Sequence, residues 1–224
     1  MIPIRDINPT RNTPWMTWGL LLLNVVAFAW QVLGGAPDLV VQAWGFVPGR
    51  FLRDPLGDWP TLLSSMFLHG GLFHLGSNLL YLWVFGDNVE DRLGKLRFLL
   101  FYLLAGVGGA LGQMLIEPSS LVPMVGASGA IAGVLGAYFL LYPGARVVTF
   151  IPPLFFWTFE LPAWVLIATW FLLQVFHGVA SLASSAQVGV AFFAHIGGFL
   201  AGLWLTRYLL PPAPPPRVIR VVIR

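Results

Sequence analysis

Charge is absent from this chain over stretches that no soluble fold would tolerate. No Asp, Glu, Lys or Arg occurs from Trp15 to Leu33, and none from Leu161 to Thr206. A helix needs roughly 20 apolar residues to cross the hydrocarbon core of a bilayer, so the first run holds one span and the second holds two. Charged residues make up 9% of the 224 positions and apolar residues 58%, where a soluble domain carries about a quarter charged. A water-facing surface cannot be covered from that supply, and a disordered chain needs the opposite balance. With no cysteine, disulfides, thiolate metal sites and a cysteine nucleophile are excluded. The net charge of +3 is too small and too spread for binding nucleic acid. Residues 1–14 hold Arg5, Asp6 and Arg11 but no apolar core of their own, so Trp15–Leu33 is expected to stay in the membrane as an anchor.

Three further spans follow from the remaining punctuation. His69 to Gly86 is apolar until the charged run Asp87 to Arg92 ends it, and Phe98–Ile116 gives the next. Pro118, Pro123 and Pro143 confine another helix to about Ser128–Tyr142. The long final run divides most naturally at Ser181–Gln187. The expectation is an all-α membrane protein, a six-transmembrane-helix bundle over residues 15–210. It is preceded by a cytoplasmic segment, 1–14, and followed by a Pro/Arg-rich cytoplasmic tail, 211–224. With the N-terminus inside, ten of the twelve Lys and Arg fall on inner segments and only Arg50 and Arg53 lie outside, the asymmetry expected of a cytoplasmic N-terminus. The long outer connection, about Gly34 to Leu68, is rich in Trp and Phe and is expected to lie partly in the interface. Arg217, Arg220 and Arg224 in the tail could touch anionic lipid or belong to an untethered end.

Polar side chains at membrane depth are costly, which makes each one a candidate for function. His74 and Asn78, four residues apart, share one face of the second helix; they form either a packing pair or donors aimed into a wet cavity. His69 and His177 read as interfacial or packing histidines. Gly126-Ala127-Ser128-Gly129 stands where a loop enters the fourth helix. Its serine could merely cap that helix, but a helix N-terminus also offers free N–H groups to a developing oxyanion. His195 lies in the sixth helix on a small-residue stripe, Ala194, Gly198 and Gly202, matched by Gly129, Gly133 and Ala137 on the fourth. Such stripes let membrane helices pack backbone to backbone. In the charge-derived topology the second, fourth and sixth helices run in one direction, so these polar groups all fall in the outer half of the membrane.

The stretches His69-Gly-Gly-Leu-Phe-His74-Leu-Gly-Ser-Asn78 and Gly86-Asp-Asn-Val-Glu90-Asp-Arg92-Leu-Gly94 resemble the rhomboid intramembrane serine proteases. So do Gly126-Ala-Ser128-Gly-Ala-Ile-Ala-Gly133 and Ala194-His195-Ile-Gly-Gly-Phe-Leu-Ala-Gly202. The likeness runs from Ile2-Pro-Ile-Arg-Asp-Ile-Asn-Pro-Thr10 to the end of the sixth helix. It implies a catalytic dyad, with Ser128 as nucleophile and His195 as general base. It also implies an oxyanion site made by the backbone N–H of Ser128 with the side chains of His74 and Asn78. A serine hydroxyl needs an adjacent base to attack at neutral pH, and no carboxylate lies near His195 in sequence. In some members an aromatic residue four positions after the serine stacks on the histidine; here that position is Ala132. Glu90 and Arg92 match structural positions and read as a helix-end network.

The resemblance implies an intramembrane endopeptidase that cleaves single-pass membrane proteins in or near their transmembrane segments. Its setting would be multi-pass in a lipid bilayer, most simply the bacterial cytoplasmic (inner) membrane with both termini cytoplasmic. Water would reach Ser128 from the outer face, and substrate would enter by the fifth helix, where Trp164, Trp170 and Phe171 could line or gate the route. No metal, cofactor or nucleic-acid partner is called for. The rival readings are an inactive rhomboid-like protein that binds membrane clients, and a transporter, which would want inverted repeats.

Overall fold

The computed structural model, which describes residues 1–152, 157–183 and 190–212, begins with a short strand, β1 (Ile2–Asp6), and a long helix, α1 (Trp15–Leu33). Helix α1 is inside out by soluble standards. Three of its four buried residues are Thr17, Asn24 and Gln31, while Leu22, Leu23, Val25, Val26 and Trp30 are exposed. That pattern is stable only where the surroundings are apolar, and it answers directly to the missing charge in the sequence.

The outer connection is folded rather than loose. It forms α2 (Pro37–Trp44), α3 (Pro48–Arg53), α4 (Pro55–Asp58) and α5 (Thr61–Ser64), with a 3-10 turn at Ser65–Phe67. Proline begins α2, α3 and α4, where its missing N–H costs nothing. Arg50 ties them together by donating to Gln42 O, Gly45 O and the carboxylate of Asp58.

Helix α6 (Leu72–Leu93) and helix α7 (Lys95–Ile116) meet at Gly94, whose φ of 83° is a conformation glycine adopts without penalty. Asp87 to Arg92 does not end α6, as the sequence had suggested. The run continues the helix because Glu90 and Asp91 find partners near the start of the chain. Glu90 accepts from Met16 N, Thr17 N and Thr17 Oγ1 at 2.7–3.0 Å. Asp91 accepts from Arg11 N and Asn12 N and from the Asn12 side chain.

After α7 come α8 (Ser128–Leu141), strands β2 (Arg146–Phe150) and β3 (Thr158–Pro162), then α9 (Ala163–Leu182) and α10 (Phe192–Leu209). The strands form an antiparallel sheet in the order β1-β2-β3, an addition to the helical bundle that the sequence did not announce. The sheet gathers the chain start, the end of α8 and the start of α9 at one end of the bundle. There Asp6 accepts from Tyr138 OH at 2.6 Å and from Asn88 Nδ2 at 2.8 Å. At the opposite end Gln31 clasps the backbone N–H and carbonyl of His69, and Gly126 N–H donates to Ser65 O. Helices α6 and α8 therefore begin together, and α10 begins beside them. Residues 184–187 of the proposed division at Ser181–Gln187, and residues 213–224 of the tail 211–224, fall outside the described residues.

Helices α1, α7 and α9 are each long and apolar enough to cross a membrane unaided. Helix α8 has 14 residues and rises only about 21 Å against the ~30 Å of a bilayer core. If its last residue lies at one surface, its first lies below the other. Helix α10 is pressed between α7 and α8 by glycine. A Cβ at Gly198 or Gly202 would overlap the backbone of Gly129 or Gly133, and one at Gly197 would come within 2.9 Å of Gly112 Cα. The stripe facing α8 was legible in the sequence; the second, Gly197 and Ala201 against Gly108 and Gly112 on α7, was not singled out.

Candidate active site

Ser128 is the first residue of α8, and the chain must turn sharply to deliver it. Gly126 makes the turn with φ of 122°, and a Cβ there would lie 2.7 Å from the imidazole of His74, so both the conformation and the space demand glycine. The first backbone bond of the helix runs from Ile131 N to Ala127 O. The N–H groups of Ser128, Gly129 and Ala130 thus have no helical partner.

His195 sits in the first turn of α10, whose Ala194 N–H donates to Gln113 Oε1 at 3.2 Å. Its Nε2 lies 2.8 Å from Ser128 Oγ, and its Nδ1 lies 2.8 Å from Gln174 Oε1. The amide orientation follows from the other end of Gln174, where Nε2 donates to the Trp170 carbonyl at 3.2 Å. A carbonyl can only accept, so Oε1 must face the histidine. Nδ1 then carries the proton, and Nε2 is free to accept from the serine. The indole of Trp170 lies 5.8 Å from the imidazole, centroid to centroid, at 37°. The orientation that Ala132 cannot supply comes instead from α9.

Across the cavity, His74 Nδ1 accepts from Gly70 N–H at 3.3 Å, which leaves Nε2 as the protonated, donating nitrogen. Asn78 spends one amide hydrogen on His74 O at 3.0 Å. Ser128, His195, His74 and Asn78 all line one cavity of about 1080 Å³, with Trp170 on its wall. Trp164 and Phe171 do not line it; Phe171 stacks on Phe199 at 4.5 Å. His69 is buried with its ring 5.2 Å from that of His74, and His177 stacks on Phe192, so both pack rather than face the cavity. Gln174 was missed by the sequence reading, though it is the one amide in an otherwise mostly apolar span, the same signal that picked out Asn78.

A serine hydroxyl bonded to an imidazole of fixed tautomer, with unpaired N–H groups beside it, is equipped for acyl transfer. Comparison with known proteins agrees with the fold and the motifs. The model of the Rhomboid domain matches residues 56–212. The chain belongs to the rhomboid family. It is 30% identical over 203 residues to Rhomboid protein 1, mitochondrial, of Saccharomyces cerevisiae, a match covering 87% of this chain and 53% of the yeast protein. It is 37% identical over 131 residues to rhomboid protease GluP of Bacillus subtilis, covering 58% of this chain and 24% of that protein. RHOMBOID-like protein 4 of Arabidopsis thaliana is 38% identical over 176 residues, covering 79% and 40%. This rhomboid chain thus spans between a quarter and about half the length of these relatives. Membership and the apolar helices make it a multi-pass integral membrane protein. Its relatives include mitochondrial as well as bacterial proteins.

Proposed function

We propose that this rhomboid is an intramembrane serine endopeptidase, with Ser128 as nucleophile and His195 as base, acting on single-pass membrane proteins in or near their transmembrane segments. The observation that carries the reading is the 2.8 Å contact between Ser128 Oγ and His195 Nε2. In the first step Ser128 Oγ attacks the scissile carbonyl carbon while His195 Nε2 takes its proton. Negative charge gathers on the former carbonyl oxygen, where the N–H of Ser128, His74 Nε2–H and the Asn78 amide stabilise it. Collapse of this intermediate breaks the C–N bond, and His195 gives its proton to the departing amine. Water from the cavity then hydrolyses the acyl-enzyme by the same proton route.

A transmembrane substrate keeps its backbone hydrogen bonds inside its own helix. The segment must unwind locally to expose a carbonyl to Ser128, so helix-breaking and small residues are expected near the cut. The membrane proposed is the bacterial cytoplasmic membrane with both termini inside, on the strength of the Lys and Arg distribution. An inactive client-binding protein would be expected to lack the serine or the histidine, and both are present. The test is incubation of purified protein in proteoliposomes with a panel of single-pass substrates, beside Ser128→Ala, together with fluorophosphonate labelling located by mass spectrometry. Cleavage and a label on Ser128, both absent in Ser128→Ala, are expected. A label on Ser64, Ser77 or Ser181 with Ser128 untouched would overturn the assignment.

A further inference from the structure

Gln174 is an amide in the middle of α9, and its neighbours Leu172, Leu173 and Phe176 are exposed where lipid would lie. An amide in such a span needs partners for both of its ends, and this one has them. Nε2 closes on Trp170 O one turn back in α9, and Oε1 reaches across to His195 Nδ1 on α10. We propose that Gln174 is the positioning residue of the dyad, a neutral amide holding His195 through Nδ1 where Ser-His-Asp triads use a carboxylate. The inference rests on the reading of Ser128 and His195 as a protease dyad.

Two consequences of this geometry separate it from simple packing. The Gln174 oxygen selects the tautomer with hydrogen on Nδ1, the only neutral form whose Nε2 can take the serine proton. Its amide, fixed to the Trp170 carbonyl, also stops the imidazole from rotating, while the Trp170 ring covers one face. Because Gln174 lies on α9 and His195 on α10, the base is oriented only while those two helices keep their register.

Gln174→Met keeps the length and unbranched shape but removes the amide acceptor, and Gln174→Glu restores an acceptor oxygen. With a single-pass substrate that wild-type protein cleaves, Gln174→Met is expected to lower kcat by about 10–100-fold, part of the 10²–10⁴ that a positioned general base contributes. KM should change less than threefold. Fluorophosphonate labelling of Ser128, which needs an activated nucleophile but no substrate helix, should slow in parallel. Gln174→Glu should recover at least part of both rates. A thermal unfolding midpoint within about 2 °C of wild type for each variant keeps the comparison between folded proteins. Wild-type kcat and labelling in Gln174→Met, or a Gln174→Glu variant no better than Gln174→Met, would overturn the role given to Gln174. Failure of the dyad itself is distinguished by the wild-type protein, which would then carry no Ser128 label at all.

Discussion

At the scale of single residues, the question is whether His74 and Asn78 act on a transition state or only pack. Their polar atoms are placed for donation: Gly70 fixes the His74 tautomer, and Asn78 retains an amide hydrogen after bonding to His74 O. Loss of one oxyanion donor costs up to 10²–10³ in kcat. Asn78→Ala is therefore expected to lower kcat by about 10–10³-fold, with residual activity because the N–H of Ser128 survives the change. Turnover and unfolding midpoint, measured together, decide between the roles. Unchanged turnover with a lowered midpoint would make Asn78 a packing residue. Ser128, His195, His74 and Asn78 were all legible in the sequence because each is polar where lipid forbids it, and each lies in a motif of a known family. Gln174 obeyed the same rule of burial but lay in no motif, and its partner across the helix gap is set by the packing of α9 on α10.

At the scale of elements, two devices hold helices together, and each makes a prediction. Helix α1 begins after Pro14 with no side-chain cap. Glu90 supplies the cap from α6 instead, accepting three hydrogen bonds while 3% exposed. Hydrogen bonds to a buried charge contribute roughly 1.5–3 kcal/mol, so Glu90→Ala is expected to destabilise by about 2–3 kcal/mol, read as a lowered midpoint in detergent. The second device is close approach of backbone. Gly202→Ala would drive a methyl group into Gly133, and overpacking of this kind costs about 1–3 kcal/mol. Gly19→Ala is the matched control, since nothing lies within 4 Å of a Cβ there, and helix propensity should make it neutral or stabilising by up to ~1 kcal/mol. Equal midpoints for the two alanine variants would mean that α10 does not pack as described. The helices themselves were legible as apolar runs between charges and prolines. The continuation of α6 through Asp87 to Arg92 was not, because charge ends a span only when it must meet water. Here the charges meet Met16, Thr17, Arg11 and Asn12, contacts between positions some 73 to 80 residues apart.

At the scale of the whole molecule, a sheet and the carboxyl group of Asp6 fasten the first strand to the end of α8 and to α6. The sheet that does this was hidden in the sequence, since Ile2–Asp6 is too short and too mixed to declare a strand without its partner, Arg146–Phe150. Asp6 sits at the junction, bonded to Tyr138 OH and Asn88 Nδ2. Burial raises its carboxyl from an ordinary value of 3.8 to about 6; the Tyr138 hydrogen bond opposes that rise and nearby Asp87 adds to it. A carboxyl raised on folding binds its proton more tightly in the native state. The resulting stabilisation is complete below about pH 3.8 and is lost as pH rises through about 6. A shift of this size would correspond to roughly 3 kcal/mol in full burial, and partial exposure of Asp6 cuts it to about 1 kcal/mol. Asp6→Asn cannot titrate and keeps an acceptor for Tyr138. The unfolding free energy of the wild-type protein minus that of Asp6→Asn should therefore fall by about 1 kcal/mol between pH 4 and pH 7. Midpoints measured across that range in one detergent check it, since carboxyl groups other than neighbouring Asp87 titrate alike in both proteins. A difference independent of pH, or one that grows as pH rises, would mean that Asp6 is not the buried clamp between β1 and α8.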